Sequence, residues 1–396
     1  MQTEAAPIHE HRRIDWTEIV HTLGPRFGER APGHDDTDTF VAENYRELRA
    51  HRVFSAGVPA ELGGGGASHA ELCALVQTLG RYCGSTALAL AMHTHQVAIA
   101  AFRWRHEAGA AEALLRRVAV EELILVSSGG SDWLTGSGRA ERVEGGYRVS
   151  GRKVFAIGVP AGDLFMTMAV YDDPVAGPTV LHFAIPLGAP GIAVQDTWHT
   201  IGMRGTGSHD VVLDRVFVPD PAISLRRPAG RWSPAWHMIA THALPLILSA
   251  YVGVAEAART LALRLAAHRR HDAAVQDQAG RMETELATAR MGLRHMVDAA
   301  ASGRIGVETT NDVLAGRVVA GAAAIRAVEA AMELAGGTGF YRDRHLERLF
   351  RDVQGARYHP TRDPAQRRYA GRLAFGLDVD DDPGDDRGES RKEPAT

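Results

Sequence analysis

The chain has 396 residues, with 44 Lys+Arg against 48 Asp+Glu and a formal net charge of -4. Hydrophobic residues make up 45% and charged residues 23%, a globular composition with enough chain for two or three domains. A near-neutral body argues against a nucleic-acid binder, which needs a basic face against phosphate, and two cysteines, Cys73 and Cys83, argue against a disulfide framework and read as buried free thiols.

Residues 1–122 read as an N-terminal helical domain. Ala and Leu recur at helical spacing, as in Ala70–Gly80 and Ala110–Val120, and Pro59 with the run Gly63-Gly64-Gly65-Gly66 breaks the pattern with a loop. Residues 123–225 change texture. Short apolar or alternating runs at Leu123–Val126, Tyr147–Val149, Lys153–Ile157, Leu164–Tyr171, Thr179–Ile185 and Val211–Val218 read as strands of a barrel or sandwich. Within them, Val149–Lys153 reads as a hairpin turn. Residues 234–376 are helical again. The long periodic stretches Ala240–Arg269, Ala274–Ala301 and Thr309–Leu334 are bundle material. Residues 377–396 hold eight acids against three bases, with few apolar side chains to offset ordering, and read as a disordered tail.

Met1–Arg12 holds no apolar core of a signal peptide. The longest apolar run, Ala243–Ala255, falls short of the roughly 20 residues that span a bilayer. The expectation is a cytoplasmic protein with no membrane and no nucleic-acid partner. No Cys, His and acid set has zinc spacing, and neither a G-x-S-x-G nor a phosphate-binding loop is present.

Seven motifs occur in one order: Val58-Pro59-Ala60-Glu61-Leu62-Gly63-Gly64, Ser127-Ser128-Gly129-Gly130-Ser131-Asp132, Gly145 through Phe155, Ile201 through Val211, Val216-Phe217-Val218-Pro219, Gly336-Gly337-Thr338-Gly339-Phe340, and Arg351-Asp352. Together they resemble the acyl-CoA dehydrogenase superfamily over nearly the whole chain. The resemblance implies an α+β fold with an N-terminal helical domain, a central β-barrel domain and a C-terminal four-helix bundle. It also implies a homotetramer or homodimer with one flavin per subunit, FAD by family default, set between the β-domain and the bundle. Val126, Ser127, Ser128, Gly130 and Ser131 match the flavin loop, and Phe155 and Ile157 the ring-packing positions. Glu333, Gly336 and Gly337 match a stretch that approaches the cofactor phosphates of a neighbouring subunit.

The chain departs from a dehydrogenase at three places. That reaction needs a carboxylate base for the substrate α-proton. Aligned from Arg351-Asp352, the base position falls on Pro360, and the alternative position on an earlier helix falls near Ala243, beside His242. The positions that hold coenzyme A fall near Thr241 and Leu244. The segment Arg269–Val275 lacks the Phe-Gly of the FAD adenine site, and Glu333 replaces a Gln.

The superfamily also contains two-component flavin monooxygenases. These take reduced flavin, often FMN, from a separate reductase and need no such base. Tyr358-His359-Pro360 resembles a His-bearing stretch of that branch, and Met92-His93-Thr94-His95-Gln96 a His-bearing helix. His359 is the leading catalytic candidate and His93 the second, ahead of His95 and His242. Ile157 stands where that branch often has a Ser or Thr. The expected function is therefore a flavin-dependent oxidoreductase, monooxygenase-like, acting on a small molecule. The alternatives are a dehydrogenase with a displaced base, working with an electron-transfer partner, and a non-catalytic relative.

Overall fold

A computed structural model describes residues 14–381, apart from Gly129, Ser131 and the side chain of Asp381. The chain begins with α1 (Trp16–Thr37), α2 (Ala42–Ala50), α3 (His69–Gly80), α4 (Gly84–His106) and α5 (Glu112–Glu121). Asp15 starts α1 by accepting the N–H groups of Thr17 and Glu18, and a Ser68–Glu71 capping box starts α3. The glycine run between α2 and α3 is sterically required. A Cβ on Gly64 would lie 2.4 Å from the Val58 carbonyl oxygen, and one on Gly65 would lie 2.2 Å from the Trp16 ring.

Eight strands follow: β1 (Leu125–Ser127), β2 (Arg139–Val143), β3 (Gly146–Lys153), β4 (Leu164–Asp173), β5 (Gly177–Pro186), β6 (Ile192–Gln195), β7 (Asp210–Pro219) and β8 (Ile223–Pro228). The expected barrel is realised as one eight-stranded sheet in the order β6-β7-β3-β2-β4-β5-β8, with β1 paired to β4 in parallel. Val149–Lys153 is not the expected turn. It continues β3 through a bulge between Val149 and Gly151, where Gly151 has φ 155° and a Cβ would meet Gly138 Cα at 2.6 Å. Conversely, β3 ends at Lys153, so Phe155 does not lie on a strand; its φ is 57°.

The C-terminal part holds α6 (Pro234–Ala266), α7 (Ala273–Ala301), α8 (Val307–Ala335), α9 (Leu346–Val353) and α10 (Asp363–Ala374). The three long helices pack on one another and α10 packs on α8. The helix Pro234–Arg269 is long and apolar enough to cross a membrane, but 89% of its most apolar stretch is buried inside the fold. Its apolar surface is spent on α3, α4, α7 and α8. Residues 377–381, expected in the tail, are described. Val379 is buried and the Asp380 carboxylate accepts the Trp232 N–H at 2.6 Å; residues 382–396 lie outside the described residues.

The crossing of α3 and α6 is a backbone contact. A Cβ on Gly253 would lie 2.2 Å from the Gln77 carbonyl oxygen and 2.9 Å from Gly80 Cα. Backbone cannot yield as a flexible side chain does. Gly253→Ala is therefore expected to destabilise the fold by about 2 kcal/mol, even after the roughly 1 kcal/mol that Ala gains in helix propensity. Denaturant midpoints test this; a more stable variant would show that the helices separate freely.

Candidate active site

A cavity of about 1530 Å³ lies between the sheet, α4 and α6. Its sheet side carries Ser127, Ser128 and Gly130 at the end of β1, together with Thr167 of β4. Ser128 Oγ bonds Thr167 Oγ1 at 2.7 Å, and the Ser128 N–H donates to the Met166 carbonyl at 3.3 Å, which fixes this turn on β4. Phe155 and Ile157 border the same space. The Phe155 ring is 47% exposed, a large apolar face turned to a cavity, and it meets Trp198 edge-on at 6.1 Å. Its left-handed backbone presents the ring there, a conformation that costs about 1 kcal/mol or more for a non-glycine residue.

The opposite wall carries His359 and Tyr251. The Tyr251 hydroxyl lies 2.7 Å from His359 Nε2. Burial keeps the Tyr251 phenol protonated, and burial with the Arg317 guanidinium lowers His359 to about 3, so the imidazole is neutral. Because Tyr251 is 1% exposed, its O–H needs an acceptor, and Nε2 supplies it. The second ring nitrogen, Nδ1, then carries the proton and is the donor of this wall. Arg317 also donates to the His359 carbonyl at 2.8 Å, holding the segment. Gly355 sits beneath the pair, where a Cβ would lie 2.6 Å from the Tyr251 hydroxyl.

The Ile201–Ser208 loop closes the cavity near Arg351. Asp352 accepts the Met203 N–H at 2.5 Å, and Arg351 donates to the Ile201 carbonyl at 2.7 Å while pairing with Asp35. Gly202 presses on this helix so closely that a Cβ would lie 2.3 Å from the Arg351 carbonyl oxygen. Arg204 pairs with Asp38, and Thr206 Oγ1 bonds Ser208 Oγ at 2.7 Å. The motif is thus a docking device that joins α1, the sheet and α9.

The sequence-derived candidates separate. Ser127, Ser128, Gly130, Phe155, Ile157 and His359 share the cavity, whereas Ser131 lies outside the described residues. Val126 is buried in the core and does not line it. His93 is a correction. Its Nε2 donates to the Phe54 carbonyl at 2.8 Å and its Nδ1 accepts the Leu125 N–H at 3.0 Å, so both nitrogens staple β1 to the Phe54 loop away from the cavity. His95, two residues on, lines the cavity; it is neutral by burial, at about 4, and accepts from Gln96 Nε2 at 2.8 Å. His242 does not line the cavity. Glu333 is exposed on α8, paired with Arg281 at 2.8 Å, and outside this cavity wall. Gly336 and Gly337 are also on the surface. Sequence reasoning missed Tyr251, which sits in an apolar helical run and carries no motif, and the Trp133, Trp232 and Trp236 cluster at one end of the cavity, whose partners are far apart in the chain.

Among the described residues, the cavity lining contains one carboxylate, Glu107, and it is paired with Arg103 at 2.7 Å. Pro360 lines the cavity at the expected base position, and Ala243 lines it at the alternative position.

Comparison with known proteins agrees with this architecture. Models of the acyl-CoA dehydrogenase N-terminal, middle and C-terminal domains match residues 25–120, 127–216 and 246–364. An amino sugar nitrososynthase of Streptomyces rubradiris is 31% identical over 290 residues, 68% of this chain and 67% of that protein. A putative acyl-CoA dehydrogenase of Bacillus subtilis is 28% identical over 379 residues, 90% of this chain and 96% of that protein. The crystal structure of KijD3, solved with FMN and a dTDP-linked amino sugar, superposes with a TM-score of 0.85 at 26% identity, covering 95% of this chain and 96% of that one. The chain belongs to the acyl-CoA dehydrogenase superfamily. Within it, the chain is a flavin-dependent oxidoreductase whose relatives include both nitrososynthases and dehydrogenases.

Burial holds the Asp352 carboxyl at about 6, above its ordinary 3.8. The folded state thus binds this proton more tightly than the unfolded chain, so between about 4 and 6 the group's contribution to stability falls as pH rises. Asp352→Asn keeps an acceptor for Met203 and removes the titration. The stability of the parent protein relative to that variant is expected to fall across this window in urea titrations; parallel pH dependences would contradict it.

Proposed function

We propose that this chain is a flavin monooxygenase that receives reduced flavin, FMN or FAD, from a separate reductase and transfers oxygen to a small organic substrate in the cavity. The observation that carries this reading is the lining itself. The dehydrogenase base positions hold Pro360 and Ala243, the one lining carboxylate is ion-paired, and beside Pro360 stands a neutral His359 locked by Tyr251. Such a wall supplies a hydrogen-bond donor and no proton acceptor of carboxylate strength.

The residues fit a flavin. A flat apolar face, Phe155, and the backbone of Ser127, Ser128 and Gly130 border one space, as an isoalloxazine ring requires. Bound in its reduced form, the flavin would supply the electrons that activate dioxygen. This chain's own residues do the rest. Phe155 and Ile157 pack the ring, the Ser127–Ser128 turn offers hydrogen-bond partners, and the Nδ1–H of His359 donates to oxygen. Apolar side chains such as Met92, Ile99 and Leu244 keep water out. Homo-oligomeric assembly is part of the proposal. Phe340, beside Gly336 and Gly337, is 82% exposed, an apolar surface suited to a neighbouring copy.

Oxygen uptake with chemically reduced FMN, followed by product analysis, tests the reaction. Anaerobic bleaching of the bound flavin by an acyl-CoA, without oxygen-dependent product, would support the dehydrogenase instead. His359→Ala is expected to speed hydrogen peroxide release after reduced, FMN-loaded protein meets oxygen by about tenfold, the worth of one hydrogen bond near 1.4 kcal/mol. Tyr251→Phe should act in the same direction more weakly. Unchanged peroxide release in both variants would remove His359 from the chemistry.

A further inference from the structure

The cavity has one end built unlike the rest. Trp133 meets Trp232 and Trp236 edge-on, with ring centroids 4.9 and 5.1 Å apart, and Met168 packs with them. All four line the cavity. Charged groups surround this end, yet each is committed to the protein. Arg227 is 3% exposed. It donates to the Trp133 carbonyl at 2.9 Å, the Leu134 carbonyl at 2.7 Å and His182 Nε2 at 3.0 Å, with its guanidinium over the Trp236 ring. Lys153, 1% exposed, spends its ammonium on the Ser137 carbonyl, Ser137 Oγ and the Met168 carbonyl. The three arginines of the cavity lining are likewise paired: Arg103 with Glu107, Arg117 with Glu121, and Arg351 with Asp35 and Glu347.

His182 lines the cavity in β5, directly opposite Met168 in the β4–β5 register, and its ring lies 6.2 Å from that of Trp236. An arginine N–H can only donate, so His182 Nε2 must be the acceptor and Nδ1 must carry the proton. Burial, with Arg227 and Lys153 nearby, keeps this imidazole neutral, at about 3. The tautomer is therefore imposed by the buried cation behind it, and the Nδ1–H has no protein partner among the described residues.

We propose that this end of the cavity binds the organic substrate, an uncharged, flat, largely apolar molecule with one oxygen acceptor, and that the Nδ1–H of His182 is the donor that recognises that oxygen. The assignment rests on reading the cavity as the oxygenation site, and it names the substrate class of that site. An aromatic carbonyl compound has the required chemistry. An anion finds no direct hydrogen-bonding cation at this end, because the donors of Arg227 and Lys153 are already taken by the protein.

The test uses the full chain freed of flavin, with tryptophan fluorescence as the readout and acetophenone, ethylbenzene and phenyl phosphate as probes. Acetophenone and ethylbenzene are expected to bind, and phenyl phosphate not to. His182→Phe should weaken acetophenone about tenfold and leave ethylbenzene within about twofold. His182→Asn, which can accept from Arg227 and still donate, should retain most acetophenone affinity. Equal losses for both neutral probes, or tight binding of phenyl phosphate, would overturn the proposal. If the Phe variant fails to fold, the parent protein decides. Its His182 Nδ1–H resonance should shift with acetophenone and not with ethylbenzene, and an unmoved resonance would refute the contact. None of these readouts needs flavin turnover or oxygen, so they stand or fall separately from the monooxygenase reading.

Discussion

The docking of the Ile201–Ser208 loop onto Arg351 and Asp352 is the contact on which the site depends. One carboxylate accepts the Met203 N–H, and one guanidinium reaches both the Ile201 carbonyl and Asp35 of α1. This couples the first helix, the sheet and the last helices through two adjacent side chains. Buried ion pairs of this kind cost desolvation and add little net stability by themselves, but breaking one leaves an uncompensated charge. Their value here is geometric. They hold the Met203 loop against the segment that ends in Tyr358, His359 and Pro360, so the wall of Tyr251 and His359 and the wall of Ser128 and Phe155 keep a fixed separation.

The interior carries a second constraint. Lys153 and Arg227 sit in the core with no carboxylate partner at hydrogen-bond distance among the described residues, and their donors are satisfied mainly by main-chain carbonyls of residues 133–137 and 168. Burial lowers Lys153 to about 8 and Arg227 to about 10, the expected direction for cations withdrawn from water. The segment they hold, residues 133–137, lies a few residues after Ser127 and Ser128. A loop that would otherwise be irregular is thereby pinned by charge-assisted hydrogen bonds.

Much of this was legible in the residues. The helical, stranded and helical textures follow from periodicity, and the placement of Ser128, Phe155 and His359 in one cavity follows from the family resemblance that the motifs carry. The failures have physical causes. Phe155 looks like a strand residue because apolar alternation cannot report a left-handed φ, and Val149–Lys153 looks like a turn because Gly151 serves a bulge that needs its missing Cβ. His93 and His95 are two residues apart on one helix and differ by about 200° in direction, so a one-step error in facing exchanges a structural staple for a cavity wall. Tyr251 and His182 have no local signal at all. Their importance comes from Tyr251 meeting His359 and from His182 meeting Arg227, both pairs that only the fold brings together.

Gly355 has a consequence for how reactions can interchange on this scaffold. It leaves space for the Tyr251 hydroxyl, which in turn occupies His359, and Pro360 follows at once. Putting a carboxylate back at position 360 alone would set a negative group beside an imidazole already engaged and a phenol with no room to retreat. A carboxylate chemistry at this wall would thus require coordinated replacement of Gly355, Tyr251, His359 and Pro360 rather than of residue 360 alone.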